Sequence, residues 1–443
     1  MKTPIYDFLT QYNNEQFCRF HMPGHKGNGT LCEAFDITEI KGADSLFSAD
    51  GIIAESEKNA TKLFGTQKTL YSTQGSTLCI NTMLALACQG QENPLVIAVR
   101  NAHKAFVNSC VLIGAQVKWI FPKYSQNSIT SGEYSVLDIK KAILECDRKP
   151  CCVYITSPDY LGVMADIKSI AEICHENDIA LLVDNAHGGY LKFLENDIHP
   201  ITLGADMCCD SAHKTLPVLT SGGYLHISKN ANKTFCDNAK TTMSLFASTS
   251  PSYLTLASLD LCNKYLNDEI SSKLVVIIER IDKLKIKLSE YGFFCVGDEK
   301  LKLSLYTINN GLYGYDVAQM LRNNKIECEY ADQTHIVFMF SSETTTQEID
   351  ILEKALLHIR QPRIKLMPTE FCYTPPKISC DMRSAVFSTS EEIDTEKSEG
   401  RICSKVVIAC PPGIPVVVPG EIINYEVIKI LKKYSIMQVN VVK

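Results

Sequence analysis

Two residues of this chain, a lysine and an aspartate, stand where covalent amine chemistry would need them. Lys214 lies in Asp210-Ser211-Ala212-His213-Lys214-Thr215-Leu216-Pro217, and upstream Asp184 closes the apolar run Leu181-Leu182-Val183. An Asp ending a buried strand, followed by a Lys on a Ser/His/Thr-rich turn, suits a covalently held pyridoxal phosphate. The amine would form an imine with the cofactor's aldehyde, and the carboxylate would keep the ring nitrogen protonated so that the ring withdraws electrons. A lysine used in this way must lose its proton below the ~10.4 of a free side chain, which burial or a nearby cation brings about. The bland alternatives are a surface lysine and an aspartate that caps a turn. Ser211 and His213, both able to donate to a phosphate, weigh against them. Ala186, just beyond Asp184, is small enough to let a flat ring lie on the strand end.

An anion of that kind needs a cradle. Ser72-Thr73-Gln74-Gly75-Ser76-Thr77 follows an aromatic strand end at Tyr71 and precedes a mostly apolar helix from about Leu78 to Cys88. A glycine turn at a helix start offers free backbone N–H groups and the positive end of the helix dipole, to which Ser76 and Thr77 add hydroxyl donors. On spacing alone an ordinary N-cap by Ser76 is the preferred reading. His103, in Arg100-Asn101-Ala102-His103-Lys104, is either a ring stacked on a cofactor face or a loop histidine at a helix start. His187, in Asn185-Ala186-His187-Gly188-Gly189, is equally ambiguous. Neither histidine has the paired spacing of a metal ligand, and no metal is expected.

The elements that must position these residues follow from apolar periodicity. Leu95–Val99, Val117–Phe121, Val153–Thr156 and Ala180–Asp184 read as short strands. Between the last two, Asp166 opens a helix whose Ile167, Ile170, Ala171 and Cys174 share one face. Strand, helix and strand at this spacing predict βαβ units and a mostly parallel sheet. Leu274, Ile277, Ile278, Ile281, Leu284 and Leu288 mark a long amphipathic helix packed on the core. Strands at 301–308 and 334–340 and a helix at 346–359 predict a smaller α+β domain. The polar, acidic stretch 386–400 reads as a solvated loop.

Composition sets the outer bounds. The chain has 443 residues, 45% apolar and 21% charged, an ordinary globular balance. A net charge of −6 without a Lys/Arg stripe argues against a nucleic-acid surface. No apolar run reaches the ~18 residues that a membrane span needs, and the N-terminus lacks the apolar stretch of a signal peptide. Nineteen scattered cysteines without a Cys-x-x-Cys, with doublets at 151–152 and 208–209 in strand-like runs, point to a reducing cytoplasm rather than a disulfide framework.

Taken in order, the motifs closely resemble the fold-type I ornithine/lysine/arginine decarboxylases. They run from His21-Met22-Pro23-Gly24-His25-Lys26-Gly27 and Ala43-Asp44-Ser45-Leu46-Phe47 through Gly75-Ser76-Thr77, Arg100-Asn101-Ala102-His103-Lys104 and Thr156-Ser157-Pro158-Asp159. They continue with Val183-Asp184-Asn185-Ala186-His187-Gly188, Ser211-Ala212-His213-Lys214-Thr215 and Ser248-Thr249-Ser250-Pro251. Gly400-Arg401, Pro411-Pro412-Gly413-Ile414-Pro415 and Val418-Pro419-Gly420-Glu421 close the series. The resemblance implies an α/β, aspartate-aminotransferase-like fold with a mostly parallel central sheet. An N-terminal arm (1–40), a large cofactor-binding domain (41–270) and a small C-terminal domain (271–443) are expected, without the N-terminal wing of the large inducible members.

It also implies roles. Lys214 matches the Schiff-base lysine, Asp184 the partner of the pyridine nitrogen, and His103 the stacking histidine, against the reading from its spacing. Ser76, Thr77, Ser211 and His213 match phosphate-side positions. Ser248 and Thr249 match a segment that reaches the cofactor from the neighbouring subunit of a homodimer. Glu421 matches an acidic residue near the substrate side chain, and Lys214 or His213 would return a proton to the α-carbon. The implied reaction turns lysine, ornithine or arginine into the corresponding amine and carbon dioxide. Two departures stand out: Asn185 where the family usually has Glu, and Asp210 where it often has Gln. Competing readings are an aminotransferase or aldolase-type lyase on the same cofactor, with Arg401 for the substrate carboxylate, a decarboxylase for a non-standard amino acid, and a non-enzymatic regulator, which the lack of a DNA-binding motif disfavours.

Overall fold

The computed structural model describes residues 1–29, 31–124, 128–130, 132–361, 366–367, 373–409 and 413–443. Pro411 and Pro412 of the closing motif lie outside them. The chain forms two compact units, one built from residues 1–89 and 167–275, the other from 90–166 and 276–443. The helix Ile270–Glu290 begins in the first and ends in the second, with Leu274, Ile277, Ile281, Leu284 and Leu288 buried along one stripe, as the periodicity predicts.

In the first unit the strand order is Lys68–Ser72, Gly223–Ile227, Met207–Asp210, Ala180–Asp184. Gly223–Ile227 runs antiparallel to both neighbours. Met207–Asp210 and Ala180–Asp184 are parallel, with Asp184 opposite Cys209. Leu181, Leu182, Val183, Cys208 and Cys209 have no exposed surface. Continuous apolar runs of this kind belong to strands covered on both faces. The helices Ile52–Phe64, Gly75–Ala87, Ile167–Glu176, Lys233–Ser244 and Tyr253–Asp268 supply the apolar cover.

In the second unit Cys152–Thr156, Leu95–Val99 and Gln116–Ile120 pair in parallel in that order. The crossover helix Lys104–Ile113 makes a βαβ unit of the last two. A separate antiparallel sheet orders Phe294–Val296, Lys302–Tyr306, His335–Met339 and Tyr330–Ala331. The helix Thr346–His358 starts at a capping box, in which Thr345 and Glu348 satisfy each other's backbone N–H groups.

One expectation fails. Residues 386–400 are not a solvated loop: Ser390–Asp394 is a strand, antiparallel to Gln438–Val442, and Thr395–Lys397 forms a 3₁₀ turn. Glu392 and Asp394 are exposed on one face, while the half-buried face carries Glu391 and Ile393, and Ile393 packs on the core around Val439 and Val441. Its partner lies at the far end of the sequence, which no local pattern reveals.

The N-terminal helix Pro4–Asn14 is held by a residue far along the chain. Asp260 Oδ2 accepts from the backbone N–H groups of Ile5 and Tyr6, at 2.9 and 3.1 Å, and Oδ1 accepts from the Ser56 hydroxyl. Proline at the first helical position and a Thr3 that makes no side-chain cap leave these donors for a distant carboxylate. Burial pushes the Asp260 carboxyl up to about 6, against the pull of its hydrogen bonds. Because this lies above the ~3.9 of an unfolded aspartate, the group's contribution to stability is complete below ~3.9 and declines as pH rises through about 6. Asp260→Ala should therefore cost about 2 kcal/mol at pH 5, and the gap from the natural protein should narrow by pH 7.5, as read by denaturant unfolding at the two pH values.

Candidate active site

Asp184 and Lys214 follow from two adjacent parallel strands, at the carboxyl ends where open α/β sheets collect ligands. Asp184 is the last residue of its strand and 2% exposed. Its Oδ1 accepts from the Ala186 N–H at 3.2 Å and from the Cys209 thiol at 3.7 Å. Lys214 sits on the short helix Ala212–Thr215 that starts immediately after the strand Met207–Asp210, and it is exposed. Its Nζ lies 3.0 Å from Nε2 of His187, itself only 7% exposed.

The glycine turn stands beside them. The helix Gly75–Ala87 begins three residues before the position the sequence suggests, and Gln74, not Ser76, is its N-cap, without a side-chain bond. Ser76 is therefore inside the first turn, where backbone N–H groups have no acceptor within the helix. Gly75 adopts φ +67°, and Ser211 Oγ donates to Ser76 Oγ at 2.9 Å. A Cβ on Gly223 would lie 2.9 Å from the Asp210 carbonyl, so only glycine lets these segments approach. His213 Nδ1 is 2.9 Å from the Gly222 carbonyl, which can only accept, so Nδ1 carries the hydrogen. Burial, with Lys214 as a neighbouring cation, lowers the pKa of His213 despite that bond. The ring is thus neutral at pH 7, with Nε2 as an acceptor. Thr77, Ser248 and Thr249 are exposed and Ala186 is half-buried.

The two family departures turn out to be partners. Asn185 Nδ2 donates to Asp210 Oδ1 at 2.6 Å. Asp210 Oδ2 accepts from His199 Nε2 at 3.2 Å and from His226 Nε2 at 3.1 Å, and all four side chains are fully buried. Burial alone would raise the Asp210 carboxyl, but the attraction and hydrogen bonds of His199 and His226 hold it well below the usual range. His226 is driven towards neutrality by burial. The cluster is one carboxylate ringed by N–H donors. His199, Cys208 and Asp210 present ligand atoms within 4.8 Å of one another, but these hydrogen bonds already occupy the carboxylate oxygens.

In the second unit His103 caps the helix Lys104–Ile113 through Nδ1, which accepts from the Ala105 N–H at 3.2 Å. A Cβ on Gly413 would lie 2.7 Å from its Nε2, so the ring packs directly on the glycine backbone. Glu421 is 1% exposed and paired at 2.7 Å with Arg100, whose guanidinium lies over the Trp119 ring. Its Oε2 also accepts from the Val418 N–H at 2.8 Å. Glu421, Trp119, Lys118 and Asp381 line a cavity of about 480 Å³ within this unit. Arg401 binds Glu391 and the Val442 carbonyl, at 2.8 and 2.9 Å, and so ties together the strands Ser390–Asp394 and Gln438–Val442.

A lysine and an aspartate beyond adjacent parallel strands, with a glycine-led helix start beside them, define an aspartate-aminotransferase-like enzyme of fold type I. Residues 3–304 match the major domain of the Orn/Lys/Arg decarboxylase family, and residues 371–439 match its C-terminal domain. The chain is 31% identical to the arginine decarboxylase of Bacillus subtilis (strain 168), over 98% of this chain and 93% of that one. It is 30% identical to the arginine decarboxylase of Halalkalibacterium halodurans, over 96% and 91%. The structure of the constitutive lysine decarboxylase of Escherichia coli superposes with a TM-score of 0.80 at 17% identity, covering 100% of this chain and 82% of that one. The chain belongs to the Orn/Lys/Arg decarboxylase family and is an amino-acid decarboxylase.

Sequence reasoning left His187 undecided and overlooked His199, His226 and Arg100. Arg100 could have been suspected, as a cation closing an apolar strand. The two histidines carry no local signal. The Asn185–Asp210 pair gives a sharp test. Asn185→Asp alone places two buried carboxylates 2.6 Å apart and should cost about 3 kcal/mol or more. Adding Asp210→Asn restores one carboxylate facing one amide, so the double variant should recover most of that loss in thermal or denaturant unfolding.

Proposed function

We propose that Lys214 carries pyridoxal 5'-phosphate and that the enzyme removes the α-carboxylate of a basic L-amino acid (lysine, ornithine or arginine) as carbon dioxide. The pairing of an exposed Lys214 amine with the buried Asp184 carboxylate, beyond adjacent parallel strands, carries this reading. The donor set fits the group: an amine for the aldehyde, a carboxylate for the ring nitrogen, and the Gly75-Ser76-Thr77 turn with Ser211 for the phosphate. When bound, the cofactor supplies an electron-accepting ring to the substrate's α-carbon.

The chain's own residues do the rest. Asp184, buried at the strand end, would hold a proton on the ring nitrogen. Ser76, Thr77 and Ser211 anchor the phosphate, with neutral His213 close by. Lys214 would be the acid that returns a proton to the substrate's α-carbon. His103 is assigned to packing on the ring. Glu421 is assigned to the cationic end of the substrate: Arg100 and Val418 engage Oε2, while Oε1 has no partner among the described residues. Ser248 and Thr249, exposed on the loop before the helix Tyr253–Asp268, are offered to the site of a second copy in a homodimer. The domain division at residues 40 and 270 and a cytoplasmic location belong to the same reading. Among the described residues no helix is long and apolar enough to cross a membrane. The full-length relatives make arginine the first amino acid to assay.

Incubating the purified protein with pyridoxal phosphate and a panel of amino acids should release carbon dioxide and the matching amine from at least one basic amino acid, without a keto-acid acceptor. Lys214→Ala should abolish the visible absorbance of the lysine-bound cofactor and lower turnover on the order of a thousand-fold or more. Turnover only in the presence of a keto acid would identify an aminotransferase instead.

A further inference from the structure

One polar contact of the Lys214 side chain is not explained by its sequence motif. His187 Nε2 lies 3.0 Å from Lys214 Nζ. An ammonium has three hydrogens and no acceptor, so facing it an imidazole nitrogen must be the acceptor. Between these two nitrogens, 3.0 Å apart, there is room for one shared proton. The histidine is buried whereas the lysine is exposed, so the geometry is set from the histidine side.

That side is rigid. Gly188 N–H donates to the Asn185 carbonyl at 2.8 Å and closes the turn that carries His187. Asn185 is in turn clamped by Asp210, which His199 and His226 hold. A Cβ on Gly188 would strike the Asn185 side chain, which leaves the turn a single backbone path. The charged and titratable groups near the pair include Asp184 at the start of the turn, Asp210 bound to Asn185, and His213 next to Lys214 on the short helix.

We infer that His187 is the base that takes the proton from Lys214 so that the amine can react with an aldehyde. This rests on the assignment of Lys214 as the cofactor lysine. Nζ gives one proton to His187 Nε2, and its freed lone pair forms the C–N bond to the aldehyde carbon. The aldehyde oxygen leaves as water, with one proton from the nitrogen and the other returned by His187. Atoms and charge balance without any further reactant.

The test is the rate at which pyridoxal phosphate attaches to the cofactor-free protein, followed by visible absorbance across the range from about pH 6 to 9. His187→Gln keeps an acceptor near Nζ but cannot carry the proton. It should slow attachment near neutral pH by about 100-fold, within the usual range for a lost general base. The deficit should shrink as pH approaches the ~10.4 of an ordinary lysine. A purely structural histidine would leave the pH profile in place, and an unchanged profile in His187→Gln overturns the inference while leaving the cofactor assignment standing. No absorbance in either protein overturns both. Should the variant not fold, acetic anhydride labelling of the unaltered cofactor-free protein decides. Lys214 should be acetylated at lower pH than surface lysines, and labelling in step with them sinks the inference.

Discussion

A carboxylate with no exposed surface must be met by donors, and Asp210 is met by three, from Asn185, His199 and His226. Those residues come from the turn after Ala180–Asp184, from a loop, and from the strand Gly223–Ile227, while Asp210 itself ends Met207–Asp210. One ionised group thus ties three neighbouring strands together. Each segment that leaves this knot carries residues assigned to the proposed site: Ala186 and His187 on one side, Ser211 to Lys214 on the other. The 3.0 Å contact between His187 and Lys214 depends on both segments leaving at fixed angles. A site held by a low-dielectric hydrogen-bonded cluster is rigid because any slip leaves a buried polar group unpaired.

This dependence explains what could be read from the chain and what could not. The strands were legible because their apolar runs are local: Leu95–Val99 and Ala180–Asp184 lie where the pattern puts them. Asp184 stood out because a charged residue closing an apolar run is itself a local anomaly, and Lys214 because it sits on a Ser/His/Thr-rich turn soon after a strand. The helix at Gly75 starts earlier than its apolar residues suggest, since a glycine turn can enter a helix without a hydroxyl cap. The knot was not legible. Its members are separated in the sequence, and a buried histidine on a strand looks like any polar residue in a β pattern. Ser390–Asp394 was misread for the same reason, because its partner strand Gln438–Val442 forms the C-terminal end of the chain.

The two departures from the family pattern acquire a physical sense together that neither has alone. A Glu at position 185 would put like charges on consecutive residues of one turn, and each would disfavour ionisation of the other. With Asn185 the turn carries a single carboxylate, Asp184, which is the one proposed to keep a ring nitrogen protonated. The second negative charge has moved to position 210, where N–H donors surround it completely. The amide on one strand end and the acid on the next still meet as donor and acceptor, so the strand ends remain tied. The exchange therefore preserves the scaffold while changing the electrostatics beneath the site. It separates the carboxylate that holds the architecture from the carboxylate assigned to the chemistry.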